Sequence, residues 1–156
     1  MSNLIINAPT PPSAELPISS SEFWPAVDPV KIREAQRIDN TVTPTRLRAT
    51  LIEAIASTNG SLSVWRLEQV ALGNATLAAI DGDEVDSLSI LVHRYNRAVG
   101  CLTKALLLER LRDFDTSGKG DRRADAMIDP IEDCRRDHLN AIADIAGRAR
   151  ITVELI

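Results

Sequence analysis

Proline divides this 156-residue chain in two. Six of its eight prolines, Pro9, Pro11, Pro12, Pro17, Pro25 and Pro29, fall within the first thirty residues, and only Pro44 and Pro130 follow. A proline fixes φ and lacks a backbone donor, so residues 1–27 read as an extended arm rather than a helix. Ser and Thr fill much of the remainder, and the only charged side chains before Lys31 are Glu15, Glu22 and Asp28. Such a segment cannot bury enough apolar surface by itself to order the chain. Yet it carries Leu4, Ile5, Ile6 and the pair Phe23-Trp24. These either fold back on their own domain or dock on a neighbour, and Phe23 and Trp24 are the candidates for inter-subunit docking.

Beyond the arm the pattern is helical. Aromatic residues make up only 3% of the chain, so its core has to be aliphatic, which suits helices better than a sandwich. Asp28-Pro29 pairs an N-cap residue with proline at the first helical position and predicts a short helix to about Ile38. Thr43-Pro44 repeats the signal for a longer helix whose stripe is Leu47, Leu51, Ile55, Leu62, Trp65 and Val70. Gly60 predicts a bend in it, and Gly73-Asn74 its end. Asp83 is placed to cap a third helix reaching about Asp113, roughly 45 Å long. Its broad face is Leu88, Leu91, Tyr95, Ala98, Leu102, Ala105 and Leu106, widened by Val92 and Val99. Asp121 is placed to cap a fourth helix ending at Gly147, with Met127, Ile131, Cys134, Ile142 and Ile145 as its apolar members and Pro130 as a kink. The expected fold is therefore all-α: a bundle of about four helices, two of them long, over residues 28–147.

The closing residues change period. Ile151, Val153 and Leu155 alternate with Arg150, Thr152 and Glu154, which is a strand signal with no second strand in the sequence to pair with. A lone strand leaves its donors and acceptors open, so residues 148–156 read as a β-prone tail that either frays or joins another molecule's sheet.

Charge and cysteine usage exclude several classes. Eighteen basic against twenty-two acidic residues give a net charge of −4, which argues against a surface that tracks a nucleic-acid backbone throughout. Two cysteines, Cys101 and Cys134, cannot build a disulfide framework. No apolar run approaches the ~18 residues of a membrane helix. The first basic residue is Lys31, so the basic region of a signal peptide is missing. The expectation is a soluble, intracellular or assembly-type helical domain.

Motifs that carry chemistry are imitated rather than completed. Asp113-x-Asp115-x-Ser117-Gly118 copies the start of an EF-hand loop, but Ala124 stands where its bidentate Glu belongs. Cys134 and His138 have the spacing of two zinc ligands on one helical face, with only His93 and Cys101 left to complete a set. Both cysteines continue apolar stripes, so core packing explains them. Gly118-Lys119-Gly120 lacks the rest of a phosphate-binding loop. No catalytic residue, metal set or cofactor is assigned, and an enzyme is not expected. Lys119, Arg122 and Arg123 form a basic cluster interleaved with Asp115, Asp121 and Asp125. It is either a solvated helix terminus or a local DNA-proximal patch.

A family resemblance spans most of the chain. It begins at Phe23-Trp24-Pro25 and Asp28-Pro29, and runs through Arg33, Thr41-Val42-x-Pro44-x-Arg46-Leu47-Arg48 and Thr58-Asn59. It continues with Asp81-Gly82, Arg97-Ala98-Val99, Glu109-Arg110 and Ser117-x-Lys119-Gly120-Asp121. Ala124-Asp125, Arg136-Asp137, Gly147, Val153 and Ile156 complete it, with Pro130 and Gly60 as departures. In order and spacing these residues resemble the head completion (head stabilisation) proteins of contractile-tailed temperate bacteriophages, often called L proteins. The resemblance implies a head–tail connector adaptor in the virion neck, made in the host cytoplasm. It would bind beneath the portal protein after DNA packaging, retain the genome and prepare the head for the tail. Its implied partners are the portal, neighbouring subunits in a twelve-membered ring, a tail-side neck or tail completion protein, and packaged DNA in the channel. On that reading Arg150, Ile151, Val153, Leu155 and Ile156 are the portal-binding candidates. The alternative is a small helix-turn-helix DNA-binding regulator, suggested by the short helices around Thr43-Pro44 and opposed by the acidic net charge.

Overall fold

A computed structural model describes residues 15–114 and 128–150. The Asp28 carboxylate accepts the Val30 N–H at 2.9 Å, and Pro29 takes the first helical position, where an N–H would have no partner. Helix α1 (Pro29–Ala35) ends before Ile38 because Arg37 turns left-handed at φ 50°. The Ile38 N–H then reaches back to the Arg33 carbonyl at 3.0 Å. Arg33 fastens the outgoing loop by donating to the carbonyls of Asp39 at 2.7 Å and Val42 at 2.8 Å.

Thr43 opens α2 (Pro44–Ser61), its hydroxyl accepting the Arg46 N–H at 3.3 Å. The single long helix expected to Gly73 is divided, and the break falls at Leu62 rather than Gly60; α3 (Ser63–Ala71) follows. Two hydroxyls act just before the break. Thr58 bonds back to the Ala54 carbonyl at 2.7 Å and Ser61 to that of Ser57 at 3.0 Å, a pattern that bends helices. Gly60, Ser61 and Ser63 add little propensity, and Leu62 turns while its side chain stays buried. Gly73, at φ 95°, ends α3 as expected, with the Asn74 N–H on the Gln69 carbonyl at 3.1 Å.

Asp83 caps no helix. A small antiparallel hairpin stands there instead, β1 (Glu84–Val85) paired with β2 (Leu88–Ser89) in the register Glu84 to Ser89 and Val85 to Leu88. Asp86 and Ser87 form its turn with φ 54° and 58°, the twist a two-residue hairpin demands. The chain therefore does hold a second strand, which corrects the sequence reading. Helix α4 (Ile90–Phe114) begins seven residues beyond Asp83, with the Ser89 hydroxyl accepting the Leu91 N–H at 3.3 Å, and is about 37 Å long. Helix α5 (Ile128–Ile145) carries Pro130 in the first turn of its described span. The expected Asp121 cap lies outside the described residues.

The fold is all-α apart from that hairpin. Helix α4 is the central element, packed along α5 on one side and α2 on the other. Its expected face is buried at Leu91, Val92, Tyr95, Ala98, Val99, Leu102 and Ala105, while Leu88 is on β2. The described part of the arm belongs to this core. Ile18 and Val27 exchange backbone hydrogen bonds at 2.8 and 2.9 Å, folding the segment into a loop. Phe23 meets Trp24 edge-on at 4.8 Å and Trp65 at 6.3 Å, and Trp24 stacks on Tyr95 at 5.1 Å. The boundary drawn at residue 27 thus passes through packed residues.

The expectation that Phe23 and Trp24 dock on a neighbour is corrected here. They are only 3% and 6% exposed, and their partners are rings of their own chain. Trp24→Ala should therefore cost about 3–5 kcal/mol in urea unfolding of the dilute protein. Rings reserved for a neighbouring subunit would leave that midpoint unchanged. A methyl group added at Gly60 meets nothing within 4 Å. Gly60→Ala should raise stability by about 1 kcal/mol, read as an upward shift of the same midpoint.

Candidate functional site

Helix α5 is stitched to α4 by polar contacts as well as by its buried Ile131, Ala141 and Ile145. Arg97 pairs with Asp137 at 3.3 Å, and Arg135 with Glu109 at 2.6 Å. Arg94 donates to the Asp144 carbonyl at 3.1 Å. These contacts run along the antiparallel pair, from Arg135 and Glu109 at one end to Arg94 and Asp144 at the other. Gly147, at φ 64°, then reverses the chain, and the Arg148 N–H bonds the Ala143 carbonyl at 2.9 Å.

Arg150 is the one portal-binding candidate among the described residues. Its guanidinium grips Asp144 in a bidentate pair, Nε to Oδ1 at 3.0 Å and Nη2 to Oδ2 at 2.7 Å. That hydrogen bond holds the Asp144 carboxyl below the ordinary carboxylate range, helped by the positive charges of Arg150, Arg94 and Arg97. Ile151, Val153, Leu155 and Ile156 lie outside the described residues. So do Lys119, Arg122 and Arg123, and the EF-hand-like loop from Asp115 to Ala124.

The residues considered for zinc serve other ends. His138 is 7% exposed and donates from Nδ1 to the Ala98 carbonyl of α4 at 2.9 Å. Burial pushes its pKa down, a push the Ala98 hydrogen bond opposes and the charge of Arg135 reinforces. His93 donates from Nε2 to the Val85 carbonyl at 2.8 Å and so pins the hairpin, away from Cys134. Burial raises the thiol pKa of Cys101 and of Cys134, which keeps both protonated and uncharged. Among the described residues no group of three or more His, Cys, Asp or Glu is arranged to hold a metal ion.

Among the described residues two open grooves of about 530 Å³ lie on the surface. One runs between the arm, α1 and α4, past Pro25, Ile32, Gln36, Val92, His93 and Arg97. The other lies on the outer face of α5, walled by Arg148 and Ala149, with Leu139, Ile142 and Ala143 beneath. The sequence reading missed both, since grooves arise from elements distant in sequence; the exposed Leu139 on an otherwise polar face was the one local signal. The helix-turn-helix alternative finds no support in this geometry. Residues 36–43 separate α1 from α2, against the about three or four of that motif, and only Leu62 separates α2 from α3.

Fold and surface together define a helical protein with two open grooves among its described residues. Residues 18–156 match the family described as Phage head completion protein (GPL). The Head completion/stabilization protein of Escherichia phage P2 is 38% identical over 148 residues, covering 95% of this chain and 88% of that relative. No solved structure matches the chain. The chain belongs to the phage head completion protein family, as its resemblance from Phe23 to Ile156 suggested.

The state of His138 has a measurable consequence. Its folded pKa lies below the ordinary histidine value of 6.5, so only the unfolded chain takes up the proton as pH falls through that value. Stability should be flat above about pH 7 and decline toward pH 5. In His138→Gln, whose amide can still donate to Ala98, thermal melts should lose that decline.

Proposed function

We propose that this phage structural protein acts as a connector adaptor: it attaches beneath the portal after DNA packaging, stabilises the filled head and prepares it for tail attachment. Family membership supports the head-completion role. The portal-directed part rests on one sequence feature, the alternation of Ile151, Val153 and Leu155 directly after the helical body. Among the described residues, strand structure amounts to the two-residue β1 and β2 and the bridge between Ile18 and Val27. None of these offers an edge long enough for a six-residue strand. A partner's sheet would satisfy the tail's backbone groups, with alternate side chains as anchors.

In this reading Arg150, Ile151, Val153, Leu155 and Ile156 engage the portal, and the stitched α4–α5 pair holds them at a set height. Neighbouring subunits complete a twelve-membered ring matched to the portal, and a tail-side neck or tail completion protein docks on its far face. Lys119, Arg122 and Arg123 stand beside the packaged DNA. With its tail unpaired, the subunit is a monomer until the portal collects it. The ordering of the tail on assembly costs about 2–5 kcal/mol of the gross interaction energy.

Deleting residues 151–156 should leave the helical circular-dichroism signal unchanged and abolish co-sedimentation with purified portal. Portal binding that survived the deletion would refute the assignment.

A further inference from the structure

Helix α3 turns most of its apolar side chains outward. Trp65 is its one buried residue, while Val64 is 64% exposed, Leu67 60% and Leu72, at the C-cap, 75%. Val64, Leu67 and Ala71 stand at i, i+3 and i+7, so they form one stripe with Leu72 beside it. The charge set into that stripe is Glu68, four residues after Val64 and four before Leu72. No described element covers this ridge.

The groove on the outer face of α5 is its counterpart. Leu139 on the floor is 64% exposed, with Ile142 and Ala143 half-buried beside it. The rim carries Arg135, Arg136 and Arg148, with Glu132 at the far end from Arg148. Arg135 is paired with Glu109 and Arg136 with Asp133. Among the described residues neither Arg148 nor Glu68 has an ion-pair partner. An apolar ridge bearing a carboxylate thus matches an apolar trough with a basic rim.

We propose that α3 of one copy docks in the α5 groove of a second copy of this chain, with Val64, Leu67 and Leu72 against Leu139, Ile142 and Ala143, and Glu68 meeting Arg148.

The dimensions agree. Nine residues make α3 about 14 Å long, and α5 rises about 16 Å from Glu132 to Ala143 along the groove. Helix α5 flanks α4 on one side, and α2, which leads into α3, flanks it on the other. A copy therefore offers its ridge to one neighbour and its groove to another. Such a heterologous contact builds rings or filaments rather than closed pairs. One helix face buries only a few hundred Å², well under the ~800 Å² per partner of a stable interface. A single contact is weak, in keeping with a subunit that is monomeric until the portal collects it. Copies held side by side on the portal meet at a far higher effective concentration. The inference rests on the proposed function for the closure of a ring; the contact itself needs no portal.

The test uses the full chain without portal, followed by sedimentation equilibrium and amide chemical shifts from about 20 μM to about 1 mM, the range in which so weak a contact fills. Wild-type mean mass should rise past that of a dimer, with shifts confined to α3 and the outer face of α5. Leu67→Asp and Leu139→Asp, both at exposed positions, should each stay monomeric with unchanged core signals. Mixed in equal amounts they should form dimers and nothing larger, because the first keeps its groove and the second its ridge. Glu68→Arg or Arg148→Glu alone should weaken association about threefold, and the two together in one chain should restore it. Four results would each overturn the proposal: a wild-type chain that stays monomeric throughout, a single aspartate variant that still associates through another surface, a mixture without dimers, or a charge exchange that restores nothing. Because the portal is absent, failure here leaves the portal assignment standing, and failure of portal binding leaves this contact.

Discussion

The stack of Trp24 on Tyr95 is the contact around which the rest of the molecule is arranged. The two rings lie nearly parallel, 11° apart, and Phe23 and Trp65 close around them edge-on. In a chain so poor in aromatics, four of the five rings have been gathered at one place. They come from three different segments: Phe23 and Trp24 from the arm, Trp65 from α3, Tyr95 from the second turn of α4. Burial keeps the Tyr95 hydroxyl protonated, its pKa pushed up to about 12, and it donates to Asn59 at 2.7 Å. Asn59 in turn donates to Ser20 at 3.3 Å. One apolar cluster with one polar thread therefore joins arm, α2, α3 and α4, and an arm that cannot order itself is ordered by it.

From that anchor the bundle gains a direction. Gly100 sits where the end of α1 crosses α4, and a Cβ there would stand 2.9 Å from the Gln36 amide nitrogen, so the small residue permits the close crossing. On the other side of α4, His138, Arg97, Arg94 and Arg135 tie α5 down along its length. The exposed pairs among them contribute little individually, but they fix rotation and register of the two helices. An element so fixed holds the turn at Gly147 in a defined position.

The parts legible in the sequence are those decided by neighbours a few residues apart. Asp28-Pro29 and Thr43-Pro44 begin helices because capping is settled within one turn, and Gly73 and Gly147 end them because a left-handed residue is cheapest as glycine. The buried face of α4 followed from its period. The parts that were not legible depend on residues far apart. Leu62 rather than Gly60 became the break because hydroxyl back-bonding and a core anchor outweighed glycine's flexibility. Asp86-Ser87 carries a weak hairpin signal, and the clasp of His93 on Val85 is what steadies it. His138 looked like half of a metal site because spacing cannot say that the Ala98 carbonyl is waiting for its ring. For the candidate site, Arg150 was named from the sequence, but its hold on Asp144 was not, since nothing in a strand-like pattern points back to the preceding helix.

By itself the sequence determined that this is an all-α protein with capped helices, an aliphatic core, a proline-rich arm and a β-prone tail, and it carried its family membership in the order of its motifs. Those are properties of composition, local sterics and period, and they need no knowledge of what touches what. Only the tertiary structure decided that the arm's aromatics pack within their own subunit, that Arg150 pairs with Asp144, and that the two histidines hydrogen-bond backbone carbonyls. Each of these turns on which distant surface reaches a group first and removes it from water, and that is settled when the helices pack.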